Sequence, residues 1–161
     1  MAASTDPTIA EREIVVSRAI DGPRHLVFQA FTEARHLARW FGPNGFTLTT
    51  EAFAFHPGGE WRFTMHGPDG TDYLNWVQWQ EIVPPERLVY HQGQHPGDAD
   101  AFLATVTLAE EGGTTRITLR ALFNTKAQRD EVVQKYNALE GAKETLSRLA
   151  IYIPSLAAGD R

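Results

Sequence analysis

The chain contains no cysteine. That absence removes disulfides, thiolate metal sites and a cysteine nucleophile together. It also has no run of lysine or arginine able to follow a phosphate backbone, and its formal net charge is −5, so nucleic acid is a poor partner. No stretch approaches the ~18 consecutive apolar residues of a membrane span. The first ten residues hold Ser4, Thr5, Asp6 and Pro7 where a secretory signal needs a basic start and an apolar run. Segment 1–10 therefore reads as a flexible lead-in, and the expectation is a soluble, cytoplasmic protein. Catalytic signatures are missing too. There is no Gly-x-Ser-x-Gly elbow, and Gly58-Gly59 and Gly112-Gly113 fall in hairpins and not ahead of a helix where they could cradle phosphate. The six histidines form neither a His-Glu-x-x-His helix nor a cysteine-supported zinc pattern, so no metal and no cofactor is expected.

What is present is enough apolar material for one core: 161 residues, 42% of them hydrophobic, read as a single domain over 11–153 with a short tail, 154–161. Glu11 to Ile20 is β-branched and partly alternating, and Asp21-Gly22-Pro23 stops that strand and opens a helix with proline in its first turn. Two short helical pieces follow, one carrying Leu26, Val27, Ala30 and Phe31, the other running from Glu33 to Phe41 and ending at Gly42-Pro43-Asn44-Gly45. Period-two patterning then persists to Phe123, punctuated by Gly- and Pro-rich turns. It divides into strands at Phe46 to Phe55, Glu60 to His66, Tyr73 to Val83, Arg87 to Gln92, Phe102 to Ala109 and Thr115 to Phe123. Turns this short join antiparallel neighbours.

From Thr125 to Ile153 the spacing predicts one long amphipathic helix interrupted by Gly141. Val132, Tyr136, Leu139, Ala142, Leu146, Leu149 and Ile153 recur at steps of three or four, which aligns them on one face. Lys126/Asp130, Glu131/Lys135 and Glu144/Arg148 are opposite charges four residues apart and mark the wet face. Only this helix is large enough to cover the sheet, which gives an α+β sandwich.

Alternation also sorts the strand residues. Trp61, Phe63 and Met65 share one face, as do Val77, Trp79 and Val83 in the next strand, and Tyr90 lies in the strand after that. In this register Asn75 and Glu81 keep the inward phase of Val77 and Trp79. A buried polar group needs a partner, so each is a polar fixture of a pocket or has already emerged at the sheet rim. Trp40 and Phe41 are core plugs or gate residues stacking on an apolar guest. Trp76 faces the other way and offers a surface for a homodimer.

Several motifs in order resemble the START-like (SRPBCC) superfamily, in the branch of the activator of heat-shock protein ATPase homologues. They are Ile20-Asp21-Gly22-Pro23, Leu37-Ala38-Arg39-Trp40-Phe41-Gly42-Pro43, Phe55-His56-Pro57-Gly58-Gly59-Glu60-Trp61-Arg62-Phe63, Glu81-Ile82-Val83-Pro84-Pro85-Glu86-Arg87-Leu88-Val89-Tyr90 and Gly113-Thr114-Thr115-Arg116-Ile117, closing with Glu140-Gly141. The resemblance implies a helix-grip fold: a curved antiparallel sheet of about seven strands around a long C-terminal helix, with two short helices after the first strand. It also implies a cavity between sheet and helix, in a superfamily that hosts lipid carriage, hormone sensing, polyketide cyclisation and co-chaperone work. The branch often has tryptophan after the helix glycine, where this chain has Ala142, which points to a roomier cavity or a differently packed one.

The function expected from these readings is non-catalytic binding of a hydrophobic or aromatic small molecule, with a stress-related role as the family-based expectation. Its expected site is Trp40, Phe41, Trp61, Phe63, Met65, Asn75, Val77, Trp79, Glu81, Tyr90, Tyr136, Leu139, Gly141 and Leu146, with Gly141 letting the helix pass close to Trp61 or Trp79. Two alternatives stay open: a co-chaperone that stimulates a chaperone ATPase, and a cyclase or dehydratase using Glu81 as a pocket carboxylate.

Overall fold

The computed structural model describes residues 7–159. Residues 1–6 of the expected lead-in and 160–161 of the expected tail lie outside the described residues. Within them, Pro7–Glu11 forms one helical turn, α1, before strand β1 (Glu13–Asp21). Helices α2 (Arg24–Gln29) and α3 (Ala34–Trp40) follow, then β2 (Thr47–Phe53), β3 (Glu60–His66), β4 (Asp72–Val83), β5 (Arg87–Gly93), β6 (Phe102–Glu111) and β7 (Thr114–Leu122). The seven strands make one antiparallel sheet in the order β1-β7-β6-β5-β4-β3-β2, so β1 and β2 are its edges. Short turns join β2 through β7 in sequence, and the connection from β1 to β2 through α2 and α3 crosses from one edge of the sheet to the other. Among the described residues no helix is long and apolar enough to cross a membrane.

The inward rows of the sheet carry the core. Ile14, Val16 and Ile20 of β1, Ile117 of β7, Ala104, Val106 and Leu108 of β6, Leu88 and Tyr90 of β5, and Trp61 and Phe63 of β3 are all buried. Two strand pairs depart from strict alternation: β2 against β3 shifts register between Thr50 and Ala52, and β4 against β5 does so beside an expected site residue. Pairing of β4 with β5 runs Trp79 to Tyr90 and then Glu81 to Val89, which leaves Gln80 as an extra residue, a β-bulge. The bulge flips every side chain beyond it. Ile82, opposite Leu88, packs on the core, while Glu81 and Val83 turn outward and are exposed.

The C-terminal segment corrects the single-helix expectation. It forms α4 (Lys126–Tyr136) and α5 (Ala138–Ala157), separated at Asn137, whose φ of 55° is left-handed. Asparagine tolerates that conformation, and one residue in it ends a helix. Gly141 interrupts nothing, because its N–H donates to the Asn137 carbonyl in the first turn of α5. Thr125 caps α4 by accepting from the Gln128 N–H at 3.0 Å. Only α5 grips the sheet: Thr145, Leu146, Leu149, Tyr152, Ile153 and Leu156 are buried, and α4 buries no residue. The buried ring of His36 on α3 hydrogen-bonds the Tyr152 hydroxyl through Nδ1 at 2.7 Å, tying α3 to α5.

Candidate functional site

The space between the sheet and α5 is occupied by rings. Trp61 and Phe63, two residues apart on β3, stack with centroids 3.8 Å apart. Phe41 meets both edge-on, at 5.1 and 5.9 Å, and Trp40 packs against Phe41 and Phe31. Phe53 continues the cluster to Phe55, then Trp79, then Tyr90. Edge-to-face pairs of this kind add about 0.5–1.5 kcal/mol each beyond their buried area. The void they leave, lined by Trp40, Phe41, Tyr90 and Leu146 among others, is about 10 Å³. That is room for one water at most, against the roughly 300–1,000 Å³ of ligand pockets. Around this void rings and aliphatic side chains fill the space in this conformation.

Polar groups within the cluster are few. Trp40 Nε1 donates to the Ala30 carbonyl and Trp61 Nε1 to the Thr50 hydroxyl. Trp79 Nε1 is buried and has no hydrogen-bond partner among the described residues. Burial pushes the Tyr90 phenol well above its ordinary value, so the ring stays neutral and its hydroxyl keeps its proton.

The loop between α3 and β2 closes one end of the cluster and is fastened to α5. Arg148 Nη1 donates to the carbonyls of Gly42 and Pro43 at 2.8 and 2.9 Å. Glu144 accepts the Asn44 N–H at 3.0 Å, and the bare α-carbon of Gly141 faces the Pro43 ring. Desolvation lowers the Arg148 pKa from its ordinary value, in keeping with a guanidinium drawn partly out of water. Positions 141, 144 and 148 lie on one helix face, and together they form a latch. Gly42 has φ 109°, open to glycine, and a β-carbon there would run into the end of the Met65 side chain.

The expected site residues divide accordingly. Trp40, Phe41, Trp61, Phe63, Met65, Val77, Trp79, Tyr90 and Leu146 gather in or against the core, with Leu139 partly buried beside them. Asn75 is half-buried, yet its Oδ1 accepts from Gln92 Nε2 and its Nδ2 donates to the Tyr73 carbonyl, so it is satisfied within the sheet. Three residues stand elsewhere. Glu81 is exposed and paired with Arg87 at 2.6 Å, displaced by the bulge. Tyr136 is 60% exposed, because the turn at Asn137 rotates it off the stripe. Gly141 meets Pro43, not Trp61 or Trp79. Trp76, expected as an exposed dimer contact, is only 5% exposed and offers no such surface. The latch itself escaped the sequence reading, which paired Glu144 with Arg148 as a solvated couple; their shared face with Gly141 was the available signal.

The profile of the family described as activator of Hsp90 ATPase homolog 1-like protein matches residues 21–153. The chain belongs to the AHSA1 family. Its match begins at the end of β1 and includes both short helices, the latch loop and most of α5. Among solved structures, a protein from Nitrosomonas europaea is 25% identical, with 92% of this chain and 98% of that one covered and a TM-score of 0.83. One from Arthrobacter aurescens is also 25% identical, with 96% and 93% covered and a TM-score of 0.84. Among curated proteins none matches the sequence. The AHSA1 assignment carries with it the class of ligand-binding or co-chaperone-like domains, and fold alone does not choose between them.

Proposed function

We propose that this AHSA1 protein binds an apolar, aromatic small molecule between the sheet and α5, without catalysis, and that the latch loop is the gate. The observation that carries the reading is the unpaired indole N–H of Trp79, buried within a cluster of rings. A buried donor without a partner costs about 1–3 kcal/mol, and a guest with one acceptor atom and an apolar body relieves that cost. Entry requires Phe41 to leave its place against Trp61 and Phe63, which the flanking Gly42 and Gly45, both at positive φ, permit.

The test uses acetylnaphthalene, whose ketone accepts a hydrogen bond, and naphthalene as the hydrocarbon control. Binding of the ketone in native mass spectrometry, with a raised melting temperature and with the preference for ketone over hydrocarbon lost in Trp79→Phe, supports the proposal. No complex with either compound, in the native chain and in Phe41→Ala alike, overturns it. Among the described residues no carboxylate is buried with the rings, and Glu81 lies outside, so the reading assigns no general acid or base.

A second reading, stimulation of a chaperone ATPase, draws on the family's description and on the exposed side chains of Tyr73 and Leu74 at one end of the sheet. Saturating protein then raises the ATP turnover of Hsp90, and an unchanged rate removes the reading.

A further inference from the structure

On the far side of α5 from the latch, the edge strand β1 and the helix enclose an open cleft of about 240 Å³ lined by Val16, Ser17, Arg18, Lys143, Leu146 and Ser147. Arg18 is out of place in the sequence pattern. It occupies the inward phase of Ile14, Val16 and Ile20, yet it is exposed, because at the sheet edge that phase opens into the cleft. Its guanidinium donates to the Ser147 hydroxyl at 2.9 Å and to the Ala19 carbonyl, and no carboxylate accompanies it in either contact. Lys143 stands one helical turn before Ser147, and its own acid, Glu140, is an exposed partner at 3.3 Å, a pair of small worth in water.

The strand adds backbone donors. The Phe123 N–H bonds to the Arg12 carbonyl, and the Gly22 N–H to the Gly113 carbonyl, so even-numbered residues of this segment turn their polar groups toward β7 and its ends. The Glu13 carbonyl points the other way and accepts from Arg129. By the alternation of an antiparallel pair, the Ser17 N–H and carbonyl lie on the free edge, facing the cleft. The floor, from Val16 and Leu146, is apolar and buried.

We propose that this cleft is a binding site for a small organic anion, a carboxylate or phosphate monoester with a short apolar body. The anion sits between Arg18 and Lys143 with the Ser147 hydroxyl and the Ser17 N–H as further donors, and the body rests on Val16 and Leu146. Two cations stand together at the cleft, Lys143 with only the exposed Glu140 beside it, and concentrate positive potential there on a chain of net charge −5. The volume suits one ring or a short alkyl chain.

Benzoate, phenyl phosphate and the neutral control benzamide are titrated into the full chain with amide resonances as the readout. Shifts confined to Ser17, Arg18, Lys143 and Ser147 with either anion and not with benzamide, weakened at least tenfold in R18Q/K143Q, support the site; the stronger of the two anions identifies the headgroup. Both substitutions are on exposed side chains, so an unchanged circular dichroism spectrum shows that the fold is intact. Equal binding by the double variant, equal binding of benzamide, or no shift at millimolar anion overturns the proposal. Shifts confined to the ring cluster also overturn it, while leaving the aromatic-guest reading of the core in place.

Discussion

Arg148 on α5 holds the carbonyl of Gly42 at 2.8 Å, joining the terminal helix to the loop that seals one end of the aromatic core. The same nitrogen reaches Pro43, so one side chain spans two backbone acceptors. Hydrogen bonds from a charged donor contribute about 1.5–3 kcal/mol each, less where water competes. Arg148→Met keeps much of the apolar stem and removes both bonds. The expected outcome is a loss of about 1–3 kcal/mol in urea unfolding and faster amide exchange over residues 42–46, with the exchange of β6 and β7 unchanged.

Two glycines have opposite predictions. A β-carbon at Gly59 would collide with the Ala54 carbonyl oxygen, and backbone cannot yield as a side chain does. Gly59→Ala therefore destabilises by about 2–4 kcal/mol, in the range of strained core substitutions. At Gly141 a β-carbon meets only the Pro43 ring, at 3.4 Å, an ordinary contact within a regular helix. Gly141→Ala stabilises by about 0.5–1 kcal/mol through helix propensity alone. Paired thermal melts read both signs.

Glu81→Gln tests the bulge. If Glu81 stands outside as an exposed partner of Arg87, the substitution changes stability by no more than about 0.5 kcal/mol and leaves acetylnaphthalene binding unaltered. A change in the affinity for that ketone would place the carboxylate inside.

Asp98 sets a pH dependence in the turn between β5 and β6. Its carboxylate accepts the backbone N–H groups of Gln94 and Asp100, at 2.8 and 2.9 Å, and these bonds hold its pKa below the ordinary aspartate value of 3.8. A lowered native pKa means that the unfolded chain takes up the proton first. The contribution is fully present above pH 3.8 and is lost as the pH falls through the native value. Amide exchange at Gln94 and Asp100 should rise on acidification through that window, and Asp98→Ala should remove the step.

Much of this arrangement is legible in the residues. The period-two run of Trp61, Phe63 and Met65 placed its strand and its inward face, because alternation is fixed by the pleat. The same logic failed at Glu81, since an inserted residue such as Gln80 leaves no mark in composition and reverses every later side chain. It failed at Tyr136 for a similar reason: asparagine in a helical pattern seldom marks a left-handed residue, so a stripe drawn through Asn137 kept Val132 against the core and misassigned Tyr136. Glu144 and Arg148 satisfied an ion-pair spacing, but the carbonyls and amide of a distant loop were better partners, and no local pattern records those. Whether rings enclose a cavity or fill it depends on ring orientations, which the sequence leaves open.

The turn at Asn137 divides the C-terminal segment into two stretches of unequal cooperativity. Helix α5 must unfold with the sheet, because its buried side chains are part of the same core. Helix α4 has no fully buried residue: Val132 and Val133 rest half-buried on the core and the Thr125 cap and surface ion pairs add to their support, so α4 is expected to open and re-form more readily than α5. Hydrogen exchange should separate them sharply at one residue, and a protease that nicks α4 should leave a folded remainder.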